Sequence, residues 1–177
     1  MGKNLKSYLK LLRIKDWRGY FLMAVFGFLL AKGFLFPLES IIVFLVLVLL
    51  FLAFGFSVNQ CFDTKEDKYK EGRVNPVVNK EISFRNSLII SVSPGILGLF
   101  LSAFFGLRVF LFCLAGTAIS FFYSAPPLRF KGRPIADLIS HGFFAGVFWF
   151  FLPLLIFRAE LGPIHFLIGF SIFYFSI

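Results

Sequence analysis

From Ile41 to Phe56 the chain reads IIVFLVLVLLFLAFGF, with no charged or strongly polar side chain, and the surrounding stretch Glu39 to Phe62 has the length of a bilayer crossing. The hydrocarbon core of a membrane takes about 20 apolar residues as a helix. Backbone groups placed there have only one another to bond, so a single spanning segment must be helical. Five further stretches have the same character: Tyr20 to Phe36, Ser87 to Phe105, Leu107 to Tyr123, Ile135 to Phe157 and Leu161 to Ile177. Across the 177 residues, 59% are hydrophobic and 20% aromatic, 29 of them Phe, which excludes an ordinary soluble domain. The fold class predicted is all-α: a polytopic membrane helical bundle with about six transmembrane helices.

The net charge of +9 does not make a nucleic-acid face, because the cations sit between the apolar stretches. Lys3, Lys6, Lys10, Arg13, Lys15 and Arg18 precede the first span; Lys65, Lys68, Lys70, Arg73, Lys80 and Arg85 follow the second; Arg129, Lys131 and Arg133 follow the fourth. All of these lie on one side, and the positive-inside rule makes that side cytoplasmic. Lys32, Arg108 and Arg158 remain for the far side, so odd spans run outward. The membrane implied is the cytoplasmic (inner) membrane, with the N-terminus on the basic side. The first apolar segment is too long for a signal-peptide core and no small-residue cleavage pattern follows it. Cys61 and Cys113 fall in or beside spans, where free cysteine acts as a small apolar residue, so no disulfide framework is expected.

The second span ends in SVNQCFDTKEDKYKEGRVNP, Ser57 to Pro76. Asn59, Asp63 and Asp67 recur there every four residues, which on a helix turns each side chain by about 40° and stacks them along one face. Close carboxylates repel unless a cation or proton intervenes, and magnesium prefers one or two carboxylates, waters and substrate phosphate oxygens. The ridge therefore predicts bound magnesium and a diphosphate, with Lys65, Lys68, Lys70 and Arg73 to meet its charge. The competing reading is a solvated helix end with acids and bases paired at i,i+4. Asn59 favours the metal, because an amide directly after an apolar run is costly without a partner.

Elsewhere, Lys3 to Trp17 alternates basic and apolar residues and predicts a helix lying in the membrane interface with Leu5, Leu9 and Leu12 on one face. Trp17 and Tyr20 suit interfacial anchors; Arg13 and Arg18 suit lipid phosphates or a bound diphosphate. Thr64 to Phe84 is long enough to close over a site as a lid, the alternative being a plain solvated connection. Spans three and four meet at a short link near Gly106, which makes them antiparallel neighbours. Pro126 and Pro127 stop span four, and residues 124–134 form a second basic loop. Its segment LRFKGRP, read as extended, turns Arg129, Lys131 and Arg133 to one side; lipid headgroups would satisfy these cations too. Asp137, Ser140 and His141 form a polar stripe in span five; His141 alone reads as a hydrogen-bonded structural residue. Span six ends abruptly at SIFYFSI, so the chain is expected to be a truncated form of something longer.

The residues NQCFDTKED with the following RVNP resemble the first aspartate-rich motif of the UbiA superfamily of intramembrane prenyltransferases, and YSAPPLRFKGRP, Tyr123 to Pro134, resembles that family's segment between helices four and five. The resemblance implies that residues 1–177 form a single domain carrying the first two thirds of a nine-helix fold. It implies transfer of a prenyl group from an isoprenyl diphosphate to a lipophilic or aromatic acceptor in the membrane. Asn59, Asp63 and Asp67 would hold magnesium, Arg73, Arg129, Lys131, Lys68 and Arg13 would neutralise the diphosphate, and Tyr123 would sit near the allylic carbon or acceptor. The family's second aspartate-rich motif is absent here, so this 177-residue form is expected to be inactive or impaired. That chemistry suits the composition: metal and cations stabilise a departing diphosphate, and aromatic faces stabilise an allylic cation without attacking it. The alternatives are a non-catalytic membrane protein binding polyprenyl or phospholipid headgroups and, more remotely, a cation carrier, for which no second copy of the 59–67 pattern exists.

Overall fold

The computed structural model describes residues 2–69 and 74–176, and every regular element among them is helical. Helix α1, Gly2–Leu12, is followed by a tight turn at Ile14–Trp17 and by α2, Arg18–Lys32. Helix α3 is Leu38–Phe62 and a short α4 Thr64–Asp67; α5 is Phe84–Ala103 and α6 Leu107–Ser124. The stretch Pro134–Ile156 runs as α7, Pro134–Gly142, a π-helical turn Phe143–Phe148, and α8, Trp149–Ile156; α9 is Pro163–Ser176.

Four helical stretches, α3, α5, α6 and Pro134–Ile156, are long and apolar enough to cross a membrane. Two of the six predicted spans are shorter than expected. The first is a helix of 15 residues that stops at Lys32, because Gly33 adopts φ 70° and breaks it. The last, α9, has 14 residues. The predicted short link between spans three and four is present: α5 and α6 meet at Gly106, whose φ of 102° favours a residue without Cβ.

Lipid tails are as apolar as leucine, so helices in this setting associate by close packing rather than by escape from water. The interfaces are accordingly built of small residues against rings. Gly95 and Gly98 of α5 lie on the Phe54 and Phe51 rings of α3, and Gly116 of α6 lies on Phe148. Gly27 of α2 sits so near α8 that a Cβ there would fall 2.1 Å from the Phe150 carbonyl oxygen. The apolar window of Pro134–Ile156 is 65% buried against 28% for those of α5 and α6, which makes it the central element. Phe148, Trp149, Phe150 and Leu152 are fully buried within it, whereas Ile89, Ile96 and Phe100 of α5 face outward.

At the basic end, α1 packs against α3. Leu11 is buried with Cys61 and Ile82, while Leu5 and Leu9 face outward as the amphipathic pattern predicts. Glu81 fastens this helix: it accepts from Ser7 Oγ at 2.5 Å and from Lys10 Nζ at 2.7 Å. Those bonds hold the Glu81 carboxyl below the usual carboxylate range, Lys10 contributing most and Ser7 next. Cys61 and Cys113 are free and buried.

Candidate active site

Helix α3 delivers the site. Its last turns carry Gly55, Phe56 and Asn59 into the bundle, and Asp63 caps the helix before α4 resumes. Backbone bonds bridge the break, from Asp63 N to Asn59 O at 2.9 Å and from Asp67 N to Asp63 O at 2.8 Å. Facing this edge, α6 ends at Ser124, and a cis Pro126-Pro127 bond leads into a tight turn at Phe130–Gly132. The loop expected to be extended is therefore curled, and Arg129 stands at its start with φ 40°. Curling still brings Arg129 and Lys131 onto the site, but leaves Arg133 exposed outside it.

These elements enclose a cavity of about 560 Å³ with two unlike ends. Arg13, Asn59, Asp63, Glu66, Arg129 and Lys131 line the polar end; Tyr20, Gly55, Phe56, Ile119 and Phe144 line the other. Lys131 Nζ pairs with Asp63 Oδ1 and lies 3.9 Å from Glu66 Oε2, and Arg129 pairs with Glu66. The Lys131–Asp63 pair is the shielded one, with side-chain exposures of 15% and 18%, against 41% and 37% for Arg129–Glu66. Asn59 Oδ1 accepts from Ser124 Oγ at 3.1 Å, which aims the amide across the cavity. Arg13 stacks over Phe56 at 5.8 Å and pairs with Asp16 at 2.5 Å. Both cavity arginines, Arg13 and Arg129, hold positive φ, at 52° and 40°. Non-glycine residues adopt that region at a cost, and such strain gathers at ligand clamps.

Tyr123 forms the wall between the two ends, its ring 6.5 Å from that of His141. The Asp137 carboxyl lies beside the Tyr123 hydroxyl. His141 is exposed to the cavity rather than tucked into a structural hydrogen-bonded position. Ser140 spends its hydroxyl on its own helix, donating to Ala136 O at 2.6 Å.

The predicted ridge of three oxygen groups is divided. Asn59 and Asp63 reach the cavity, but Asp67 is 3% exposed, accepts from Asn75 Nδ2 at 3.0 Å and is not among the lining residues. Asn75 also donates to Gln60 O at 2.8 Å and accepts from Val77 N at 2.9 Å, so it ties the connecting segment to the end of α3. Lys68 is exposed beyond α4, its Nζ 5.9 Å from the Tyr69 ring, away from the cavity. Arg73 and Lys70 lie outside the described residues. Glu66, not singled out from the sequence, takes a place on the cavity wall; its position three residues after Asp63, on the same helical side, was the available signal. Tyr20 lines the cavity although its sequence context suggested only an interfacial anchor.

Among the described residues, no three acidic, His or Cys side chains gather to enclose a metal ion on their own. The donor set fits magnesium shared with a ligand: amide and carboxylate oxygens facing a cavity lined with cations. Asn59 and Asp63 would hold it.

An apolar helical bundle whose charged side chains gather around one cavity defines a helical membrane protein with a single polar site among the described residues. The chain belongs to the UbiA prenyltransferase family, whose profile matches residues 20–177. It is 30% identical over 129 residues to the digeranylgeranylglyceryl phosphate synthase of Saccharolobus solfataricus, covering 73% of this chain and 45% of that protein. It is 32% identical over 115 residues to the lycopene elongase/hydratase of Haloarcula japonica, covering 63% of this chain and 38% of that one. The structure of a UbiA homolog from Archaeoglobus fulgidus bound to DMAPP and Mg2+ superimposes with a TM-score of 0.83 at 29% identity, over 96% of this chain and 60% of that one. A GPP- and Mg2+-bound structure of such a homolog gives 0.84 at 30% identity, over 97% and 61%. The chain thus spans less than half the length of these curated relatives and about three fifths of the solved ones.

Proposed function

We propose that the protein takes part in magnesium-dependent transfer of a prenyl group from an isoprenyl diphosphate to a lipophilic acceptor within the inner membrane, with the basic, site-bearing end cytoplasmic. The observation that carries this is the two-ended cavity, in which Asp63, Asn59, Lys131, Arg129 and Arg13 converge at one end and aromatic side chains line the other. The DMAPP and GPP bound in related structures have the same division into charged head and apolar tail.

Arg129, Lys131 and Arg13 bind the diphosphate oxygens, exchanging their resting partners Glu66, Asp63 and Asp16 for the ligand. Asn59 and Asp63 would hold a divalent ion, which would add charge neutralisation to the leaving group. The allylic C–O bond breaks with its electron pair going to the diphosphate. The acceptor then gives an electron pair to the allylic carbon and afterwards loses a proton. Tyr123, Phe56 and Phe144 face the developing cation with π surfaces and exclude water from it. Asp67, bonded to Asn75, helps tie the connecting segment to the end of α3, and Lys68 and Arg73 belong to that segment in sequence.

The alternative of a polyprenyl or phospholipid headgroup binder rests on the same cations and is separated by the metal. Binding of geranyl thiolodiphosphate to the protein in nanodiscs is measured with and without Mg2+. The wild type should bind much more tightly with Mg2+, and Asp63→Asn should lose that enhancement and any transfer activity while retaining phospholipid binding. Affinity that ignores both the metal and the substitution would overturn the transferase reading.

A further inference from the structure

Helix α1 meets the rest of the protein on one side. Ser7 and Leu11 are buried on that side, and Ser7 and Lys10 hold Glu81. The opposite side carries Leu5 and Leu9, four residues apart on one helical face and 64% and 49% exposed. Ile14, in the turn that follows, is 47% exposed. The cations Lys6, Lys15 and Arg18 are exposed beside these apolar side chains. Lys10 pairs with Glu81 and Arg13 with Asp16, whereas Lys6, Lys15 and Arg18 have no acidic partner among the described residues.

Uncovered leucines next to unpaired cations suit a surface that is apolar and anionic at once, and the basic end of a membrane bundle has one at hand in the phospholipid headgroups. A helix of this kind sinks its apolar face to the boundary of headgroup and acyl chain, and its cations meet the lipid phosphates. Attachment there bears on the cavity, because α1 runs directly into Arg13. Arg13 N donates to Lys10 O at 3.2 Å and Asp16 N donates to Arg13 O at 2.8 Å, so the guanidinium over Phe56 inherits its position from the helix before it. On its inner side α1 rests on Glu81 and Ile82, in the same segment whose Asn75 is tied to the end of α3.

We propose that α1 and the turn after it are a docking surface for anionic phospholipid headgroups, and that this docking holds Arg13 in the cavity. Leu5, Leu9 and Ile14 enter the acyl boundary, and Lys6, Lys15 and Arg18 take the phosphates. A surface that binds the docked helix in preference to the free one shifts the equilibrium towards docking. Anionic lipid is thereby a positive effector of the cavity through Arg13, whatever ligand the cavity takes.

The test measures amide exchange over residues 5–16 of the protein in nanodiscs of phosphatidylcholine alone and of phosphatidylcholine mixed with phosphatidylglycerol. Each cation near an anionic surface is worth roughly a fivefold change in occupancy. Phosphatidylglycerol should therefore slow exchange by about tenfold or more, and by less at high salt. The triple variant Lys6→Gln, Lys15→Gln, Arg18→Gln should exchange alike in both lipids. Arg108→Gln, at the far side of the bundle, should keep the wild-type difference. Glu81→Gln, which weakens the inner anchor, should regain part of its lost protection in phosphatidylglycerol. Wild-type exchange that ignores lipid charge, or a lipid response that survives the triple substitution, would overturn the docking surface. Protection that follows the number of copies per nanodisc instead would assign the exposed face to a second chain and overturn the lipid assignment. Slowing confined to residues 5–12, with the Arg13 and Asp16 amides unchanged, would overturn the link to the cavity.

Discussion

Lys131→Met tests the ion pair at the heart of the site, because it separates what Lys131 does for folding from what it does for a ligand. An exposed pair is worth about 0–1 kcal/mol, whereas stripping one partner from a buried pair costs about 3–5 kcal/mol. Lys131 and Asp63 are 15% and 18% exposed, nearer the buried limit but facing a wet cavity, so losing the lysine alone should destabilise by about 2 kcal/mol. Asp63→Asn should cost a similar amount. The double variant should lose less than the sum, with a coupling of about 1–2 kcal/mol, because neither orphaned charge remains. Ligand binding should behave in the opposite manner. Removing a charge-assisted donor costs about 1.5–3 kcal/mol, or roughly 10- to 100-fold in diphosphate affinity, and the second substitution should worsen that loss. Unfolding by denaturant titration in mixed micelles, alongside thiolodiphosphate binding, reads both quantities. Additive stabilities, or recovery of diphosphate affinity in the double variant, would refute the idea of a resting pair that opens to admit an anion and its metal.

Gly27→Ala should loosen the α2–α8 contact by about 3 kcal/mol, since the new methyl meets the Phe150 backbone carbonyl, which cannot rotate away; an unchanged unfolding midpoint would contradict this packing. Asn75→Ala should cost about 2–3 kcal/mol through its lost bonds to Gln60 O and Asp67 and weaken Mg2+-dependent binding, whereas Asn75→Asp should restore only the acceptor half; unchanged stability in both would show the amide is dispensable. Glu81 has a depressed carboxyl, so its stabilisation of α1 is fully present above the ordinary carboxylate range and is lost as pH falls through its lower folded value. Amide exchange in residues 5–12 should therefore stay slow at neutral pH and quicken only in strong acid, while Glu81→Gln should quicken it already at neutral pH; pH-independent exchange in both proteins would argue against the latch.

Hydropathy and spacing alone determine that this chain is helical and membrane-bound, because in hydrocarbon a backbone has no other way to satisfy itself. They also mark Asn59 and Asp63, since a four-residue interval is a local property of a helix and holds wherever the helix lies. The family motifs bring Arg129 and Lys131 into view on the same grounds of sequence. Tertiary structure decides the rest. Asp67 keeps its interval from Asp63, yet a loop amide eight residues on, Asn75, bonds it inside the protein and leaves Glu66 at the cavity. Arg129 reaches the site through a curled turn and a positive φ, where the sequence suggested an extended segment. Phe144 is one phenylalanine among 29, and its place on the cavity wall against Gly55 is set by how two helices pack. Such choices depend on loop torsions and on contacts between distant segments, and periodicity carries no record of either.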